Sequence, residues 1–236
     1  MLNIWLIIPT YNESANIKAL IERLFVVCPQ IKILVVDDNS PDKTAVLVED
    51  LMKRYSNLNL MRRAGKLGLG SAYKDGFKHA FNNGAEVVGE MDADFSHKPE
   101  DLPRLLHAIG VGADVAIGSR KVKGGQVVGW NWSRKLMSWG AMTTARVVLG
   151  LKTRDVTAGF RLYTKNSLSQ IPWNQVKSNG YAWQEEMIYL CERANLKIIE
   201  VPVIFEDRKF GHSKLGTKQI LEFFIVILRL KFKKKI

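Results

Sequence analysis

The residues best suited to chemistry are three short polar runs, each placed directly after an apolar one. Pro9-Thr10-Tyr11-Asn12-Glu13 follows Ile4–Ile8. Asp37-Asp38-Asn39-Ser40-Pro41-Asp42 follows Ile33–Val36, and Asp92-Ala93-Asp94-Phe95-Ser96-His97 follows Val87–Met91. Any one of them reads as an ordinary turn or helix cap, where Asp, Asn and Ser are favoured. Three in succession point to a shared site. Asp92-Ala93-Asp94 is the sharpest, because carboxylates at a strand end can converge on a divalent cation that keeps substrate phosphates and water in its remaining positions. A fourth run, Arg62-Arg63-Ala64-Gly65-Lys66-Leu67-Gly68-Leu69-Gly70, is basic and glycine-rich and precedes a helix-period segment. It suits the approach of a phosphate or sugar. It lacks the G-x-x-x-x-G-K-[ST] spacing, and no G-x-G-x-x-G follows the first apolar run, which counts against a P-loop NTPase and a dinucleotide-binding oxidoreductase.

The elements that must carry these runs are legible. Ile4–Ile8, Ile33–Val36, Val87–Met91 and Val115–Ile117 are almost wholly apolar, as strands covered on both faces of a parallel sheet are. Between them Ile17, Leu20, Ile21 and Leu24 fall at i, i+3, i+4, i+7. Val48, Leu51, Met52 and Tyr55 fall the same way, as do Leu102, Leu105, Leu106 and Ile109. Asn12 or Ser14 is expected to cap the first helix, and Ser40-Pro41 to open the second. The alternation predicts an α/β, doubly wound domain whose ligands lie beyond the carboxyl ends of the strands. Further on, a helix is expected near Ser133–Leu149, with strand-like pieces at Phe160–Tyr163 and Ile198–Phe205. A basic loop, Arg208–Lys214, and a C-terminal helix close the chain.

With 236 residues, 47% hydrophobic and 25% charged, the chain is long enough for one sizeable core. Its 35 Lys+Arg against 23 Asp+Glu give a net charge of +12, so the expected partner is anionic: a nucleotide, a phospholipid surface or nucleic acid. Cys28 and Cys191 show neither metal-ligand nor paired spacing, which suits a reduced compartment. The start of the chain has no basic region or cleavage site of a signal peptide, and no apolar run approaches the roughly 20 residues of a membrane span.

In this order the motifs resemble the inverting glycosyltransferases of GT-A fold, and among them the dolichyl-phosphate (polyprenyl-phosphate) mannosyltransferases. The three strand-end runs and Lys66-Leu67-Gly68-Leu69-Gly70-Ser71-Ala72 carry the resemblance. It continues through Gly118-Ser119-Arg120, Asp155-Val156-Thr157-Ala158-Gly159-Phe160-Arg161 and Gly211-His212-Ser213-Lys214, so it covers about residues 4 to 218. It implies a GT-A (Rossmann-like), mostly parallel sheet flanked by helices over 1–218, followed by a C-terminal amphipathic helix over 219–236. Pro9, Tyr11 and Glu13 would line a nucleotide pocket. Asp37 and Asp38 would hold base and ribose, and Lys66 would belong to the donor site. Asp92 and Ala93 would sit beside the diphosphate and sugar. Asp94 would bind Mg²⁺ or Mn²⁺, with Asp92 and Ser96 as further candidate ligands; many relatives carry Gln at the position of Ser96. Arg208 and Lys214 match basic positions that close over the donor phosphates. Arg120, Arg134 and Ser138 would grip the phosphate of a polyprenyl (dolichyl) acceptor. Of Gln184-Glu185-Glu186, which resembles a segment near the sugar, either carboxylate could face the site.

The implied reaction moves mannose from GDP-mannose to the lipid phosphate with inversion; a UDP-glucose-dependent polyprenyl-phosphate transferase is the alternative. Pro9-Thr10-Tyr11-Asn12-Glu13 occupies the place where a nucleotidyltransferase would carry a glycine-rich basic loop. The basic residues cluster in loops and at the C-terminus, without the stacked aromatics or recognition helix of a nucleic-acid binder. Leu221, Phe224, Ile225 and Leu228 fall at i, i+3, i+4, i+7 ahead of Arg229, Lys231, Lys233, Lys234 and Lys235. That pattern suits a helix lying in an anionic membrane surface, and also a core-packing helix with a basic tail. The expectation is a peripheral protein on the cytoplasmic face of a membrane, held by this helix or by a membrane-protein partner, or else trimmed of the spanning segments that some relatives carry.

Overall fold

The computed structural model describes residues 2–180, 182–207 and 217–232, with side chains described from 222 onward in the last stretch. Strands β1 (Ile4–Thr10), β2 (Lys32–Asp37), β3 (Leu58–Arg62), β4 (Val87–Glu90), β5 (Val115–Ser119), β7 (Arg161–Thr164) and β8 (Ile198–Pro202) form one sheet in the order β3-β2-β1-β4-β7-β5-β8. β7 runs antiparallel to both its neighbours, and the other pairs are parallel. Short strands β6 (Gln126–Val128) and β9 (Ile204–Glu206) pair beside it. The helices are α1 (Ile17–Val27), α2 (Thr44–Met52), α3 (Leu69–Asn82), α4 (Leu102–Gly110), α5 (Trp132–Leu149), α6 (Lys165–Ser169), α7 (Trp183–Arg193) and α8 (Thr217–Phe232).

Alternation along β1 explains why its residues are nearly all apolar. Leu6 and Ile8 join Leu20, Leu24, Val48 and Leu105 in a core on one face, while Trp5 and Ile7 join Tyr73, Phe77, Trp183 and Met187 on the other. With both faces covered, no position on a central strand tolerates a polar residue without a partner. The chain leaves β1 for β2 on one side and later returns to β4 on the other. That reversal opens a crevice at the carboxyl ends of β1, β2 and β4.

Several details depart from the expectations. β3 carried no strand prediction: its alternating Leu-Asn-Leu-Met-Arg is the pattern of an edge strand, and five residues are too few to stand out. The second helix begins at Thr44 rather than at Ser40-Pro41, because the Asp42 carboxylate accepts from the Thr44 amide at 3.0 Å. Ser40 is used instead to bind Asp37. The first helix is entered through Asn16, with the Glu13 carbonyl accepting from Ile17. The C-terminal helix starts at Thr217, not 219, and is apolar on two sides. Phe223, Val226, Ile227 and Leu230 are buried, while Phe224, Ile225, Leu228 and Phe232 are exposed. On α7, Glu186 accepts from Arg229 of α8 at 2.5 Å and from the Ser178 hydroxyl at 2.7 Å, fixing α8 against the body. No helix among the described residues is long and apolar enough to cross a membrane.

Beneath the crevice, β4 buries Glu90 opposite Arg161 of β7. Burial pushes the Glu90 carboxyl up to about 7, against the pull of the Arg161 charge and of the Trp183 indole, which donates to it at 2.7 Å. The folded protein therefore keeps a proton that the unfolded chain releases near its ordinary value, so stability from this group is lost as pH rises toward and through 7. Glu90→Gln keeps the acceptor for Trp183 without the charge. Urea denaturation should find it equal to wild type at pH 5 and more stable by about 1–3 kcal/mol at pH 8; equal stability at both values contradicts the assignment.

Candidate active site

The loops after β1 and β2 are clasped to each other. Thr10 donates to Asp37 Oδ1 at 2.8 Å, and the Ser40 hydroxyl and amide donate to the same carboxylate at 2.6 and 2.9 Å. The Asn12 amide in turn donates to Ser40 Oγ at 3.0 Å. Asn12, Asn39 and Phe95, one after each of β1, β2 and β4, adopt left-handed backbone with φ of 60°, 58° and 59°. Asparagine tolerates that region, but for a phenylalanine it is strained, and such strain concentrates at functional sites.

Asp38 is enclosed by the basic glycine-rich loop. Arg63 donates through Nε at 2.6 Å, and the amides of Leu67 and Gly68 reach the other oxygen at 3.1 and 3.4 Å. Arg63 also holds the Ser71 hydroxyl at 2.5 Å and the Gly68 carbonyl at 3.0 Å, so it fixes the loop's shape. Gly68 sits at φ +101°, where a Cβ would meet the Asn179 carbonyl at 2.7 Å. This arrangement places Lys66 Nζ 4.4 Å above the Tyr11 ring, bringing two expected donor-site residues together. Asp37 and Asp38, expected as ligands of base and ribose, make their described bonds within the protein.

After β4, Asp92 lies over Gly159, where an added Cβ would come to 3.0 Å from its Oδ2. The left-handed turn at Phe95 lets the Ser96 amide donate to Asp94 Oδ1 at 3.0 Å. Ala93 and Ser96 are buried, and the Ser96 hydroxyl has no hydrogen-bond partner among the described residues. Next to it, His97 packs edge-on against Phe205 and is pushed down to about 4 by burial and by the Arg120 charge, so its ring is neutral.

Arg120, at the end of β5, makes a two-pronged pair with Asp155 at 2.7 and 2.6 Å and donates to Thr157 at 2.7 Å. Its side chain is only 6% exposed. Arg134, in the first turn of α5, pairs with Asp207 at 2.8 Å, lies 4.2 Å from the Trp130 ring centre and is 31% exposed. The two arginines thus meet around Trp130, which is 5.9 Å from Arg120. Ser138 follows one turn after Arg134, half-buried. Of the two arginines expected at the acceptor phosphate, Arg120 has its fork on segment 155–157, and Arg134 is the more exposed. Glu185 and Glu186 are both buried; burial pushes Glu185 up to about 8, and Glu186 is held by Ser178 and Arg229. Pro9 closes β1 opposite Val36, and Glu13 accepts from Asn16 Nδ2 at 3.0 Å. Arg208 and Lys214 lie outside the described residues.

Asp155, Asp207, Arg63 and Trp130 were not singled out from the sequence. Asp155 stands inside a recognised motif, but nothing local marks Asp207, 73 residues from its partner Arg134.

The model of the family described as glycosyl transferase family 2 matches residues 5–171. The chain belongs to glycosyl transferase family 2. It is 43% identical over 217 residues to a protein of Mycolicibacterium smegmatis named polyprenol monophosphomannose synthase, covering 92% of this chain and 82% of that one. An undecaprenyl-phosphate mannosyltransferase of Micrococcus luteus is 42% identical over 210 residues, covering 89% of this chain and 86% of that one. The solved structure of the mannosyltransferase PcManGT from Pyrobaculum calidifontis, in complex with GDP-Man and Mn²⁺, matches with a TM-score of 0.62 at 16% identity. The match spans 98% of this chain and 63% of that one, and it shows the shared fold. The expected α/β domain of GT-A type holds, and this glycosyltransferase carries the family's motifs on the strand ends described above.

The two arginine pairs differ in burial, so their removal should differ too. Asp155→Asn leaves the enclosed Arg120 charge uncompensated and should cost about 3–5 kcal/mol in urea denaturation. Asp207→Asn, at the half-exposed pair, should cost about 1 kcal/mol or less. Equal losses would contradict the distinction.

Proposed function

We propose that this chain forms polyprenyl phosphate mannose, moving mannose from GDP-mannose to a polyprenyl phosphate with inversion at a membrane surface. The observation that carries this reading is the 42–43% identity to two proteins named for that product class, each over about nine-tenths of the chain. The crevice adds chemical support, since it sets acidic strand ends beside a solvent-reaching arginine.

In this reading Pro9, Tyr11, Glu13 and Lys66 line the donor pocket, while Asp37 and Asp38 shape it from behind. Asp92, Asp94 and the unpartnered Ser96 hydroxyl form the hard-oxygen set that Mg²⁺ or Mn²⁺ prefers, so these residues fit a divalent cation. When bound, such an ion would neutralise charge on a diphosphate leaving group. Ala93 is assigned beside the sugar, and Arg208 and Lys214 are assigned to the donor phosphates. Arg134 binds the acceptor phosphate with Ser138, and Arg120 holds the floor of that subsite through Asp155 and Thr157.

The nucleophile is a phosphate monoester, whose second pKa near 6 leaves it ionised at neutral pH. A strong general base is unnecessary, and the work of the side chains is to bring two anions together in the right geometry. The body of the chain up to α8 would form the catalytic unit and α8, Thr217–Phe232, would dock it. On its solvent side α8 exposes Phe224, Ile225, Leu228 and Phe232, and α5, in contact with it, exposes Trp132, Leu136, Met137 and Trp139. Apolar area of that kind with basic residues nearby suits the interfacial layer on the cytoplasmic side of a membrane. A membrane-protein partner would be an additional tether.

Purified protein offered radiolabelled GDP-mannose or UDP-glucose with undecaprenyl phosphate should label the lipid from GDP-mannose and stop when EDTA is added. Transfer from UDP-glucose alone would favour the alternative donor. Asp94→Asn should lower kcat at least about 100-fold without unfolding the protein; an undiminished rate rejects Asp94 as metal anchor. Arg134→Ala should raise the acceptor KM about tenfold or more and leave the donor KM within twofold. Equal effects on both would remove Arg134 from the acceptor subsite.

A further inference from the structure

Beyond Ser138, α5 turns Trp139, Met142, Thr143 and Arg146 toward the segments after β5 and before β7. Together with Lys121 and Arg154 they line a cavity of about 360 Å³. Three cations line it and no carboxylate does. Arg63, Arg120, Arg134 and Arg229 each have a carboxylate partner. Lys121, Arg146 and Arg154 make no ion pair among the described residues, although the Asp155 carboxylate, already held by Arg120, lies close enough to Lys121 to act on it. Arg146 Nε is moreover buried without a hydrogen-bond partner among the described residues. Burial and the adjacent Arg120 charge hold Lys121 below the usual lysine range. Like charges around one hollow and an unsatisfied guanidinium N–H both cost free energy, and an anion relieves both at once.

We propose that this cavity binds the phosphate headgroup of an anionic membrane lipid, separately from the acceptor subsite at Arg134 and Ser138. Lys121, Arg146 and Arg154 hold the phosphate, and Trp139 and Met142 receive the beginning of the lipid's chains. The cavity is on the scale of small-molecule sites, more than a lone phosphate fills. Trp139 belongs to both the cavity and the exposed apolar side of α5, at 59% exposure, so a ligand with one anionic and one apolar end matches its two environments. Because Trp139 directly follows Ser138, a lipid held here sets the height of the acceptor subsite relative to the headgroup plane. The inference rests on the membrane-surface reading above.

The test uses the whole chain and the variant carrying Lys121→Gln, Arg146→Gln and Arg154→Gln. These side chains leave no carboxylate behind, so the fold should persist. A control carries Lys18→Gln, Lys78→Gln and Lys165→Gln, the same charge change on exposed helix positions elsewhere. By titration calorimetry, monomeric dihexanoylphosphatidic acid should bind wild type and control alike and the cavity variant at least about 30-fold more weakly. Dihexanoylphosphatidylcholine and inorganic phosphate should each bind wild type at least tenfold more weakly than the phosphatidic acid. The KM for citronellyl phosphate as acceptor should stay within about twofold of wild type in the cavity variant. No binding of the phosphatidic acid, or equal binding by the cavity variant, overturns the proposal. Inorganic phosphate binding as tightly replaces the lipid by a free ion, and a parallel rise in the citronellyl phosphate KM makes the cavity part of the acceptor subsite; either result also overturns it. Flotation with phosphatidylglycerol vesicles judges the membrane reading separately: failure of wild type to float ends that reading, while the soluble-lipid titration still decides the cavity.

Discussion

Carboxylates gathered at one edge of a sheet repel one another and resist burial, and this molecule is organised around compensating them. Asp38 is met by Arg63, Asp155 by Arg120 and Asp207 by Arg134. Each pair joins parts of the chain far apart in sequence, so neutralising a charge also fixes a loop. The Asp38 pair shapes the glycine-rich loop, and the Asp155 pair ties the end of β5 to the segment before β7. The Asp207 pair ties the start of α5 to the end of β9. Buried ion pairs add little net stability compared with apolar packing, but breaking one is costly. Their contribution here is geometric. They hold the walls of the crevice in place, and of the six paired groups Arg134, 31% exposed, is the one proposed to touch a substrate as well.

The same economy governs the surface. α8 buries Phe223, Val226, Ile227 and Leu230 and is locked by Arg229 onto Glu186, so it is part of the body rather than a loose appendage. Its other side stays apolar and exposed, and α5, which α8 contacts, also exposes Trp132, Leu136, Met137 and Trp139. Arg134, in the first turn of α5, therefore stands at the boundary between the crevice and that apolar surface. A proposed acceptor with an anionic head and a greasy tail needs that adjacency: the charge must reach the crevice while the chain stays out of water.

The central sheet was legible because a strand covered on both faces has to be apolar throughout. β1, β2, β4 and β5 announce themselves for that reason, and the polar runs that end three of them mark the crevice. β3 was hidden because an edge strand alternates and is short. α7 was hidden because its first turn, Gln184-Glu185-Glu186, is polar and so interrupts the apolar spacing of a helix, although all three residues are buried. Within the site, the sequence places Asp37 and Asp38 correctly at a strand end but does not say what they bond. Their partners Thr10, Ser40, Arg63 and the loop amides come together only in the folded chain. Helix starts were misplaced for a local reason: Ser40 and Asp42 are both good capping residues, and the competition between them was settled by the tie from Ser40 to Asp37.

We propose that Asp94, with Asp92 and Ser96, holds a divalent cation only together with the donor's diphosphate. Electron paramagnetic resonance of Mn²⁺ titrated into the protein, with and without GDP, tests this most directly. One site per chain should fill when GDP is present, fill poorly without it and be lost in Asp94→Asn. Equal Mn²⁺ occupancy in wild type and Asp94→Asn, with GDP present, would contradict it.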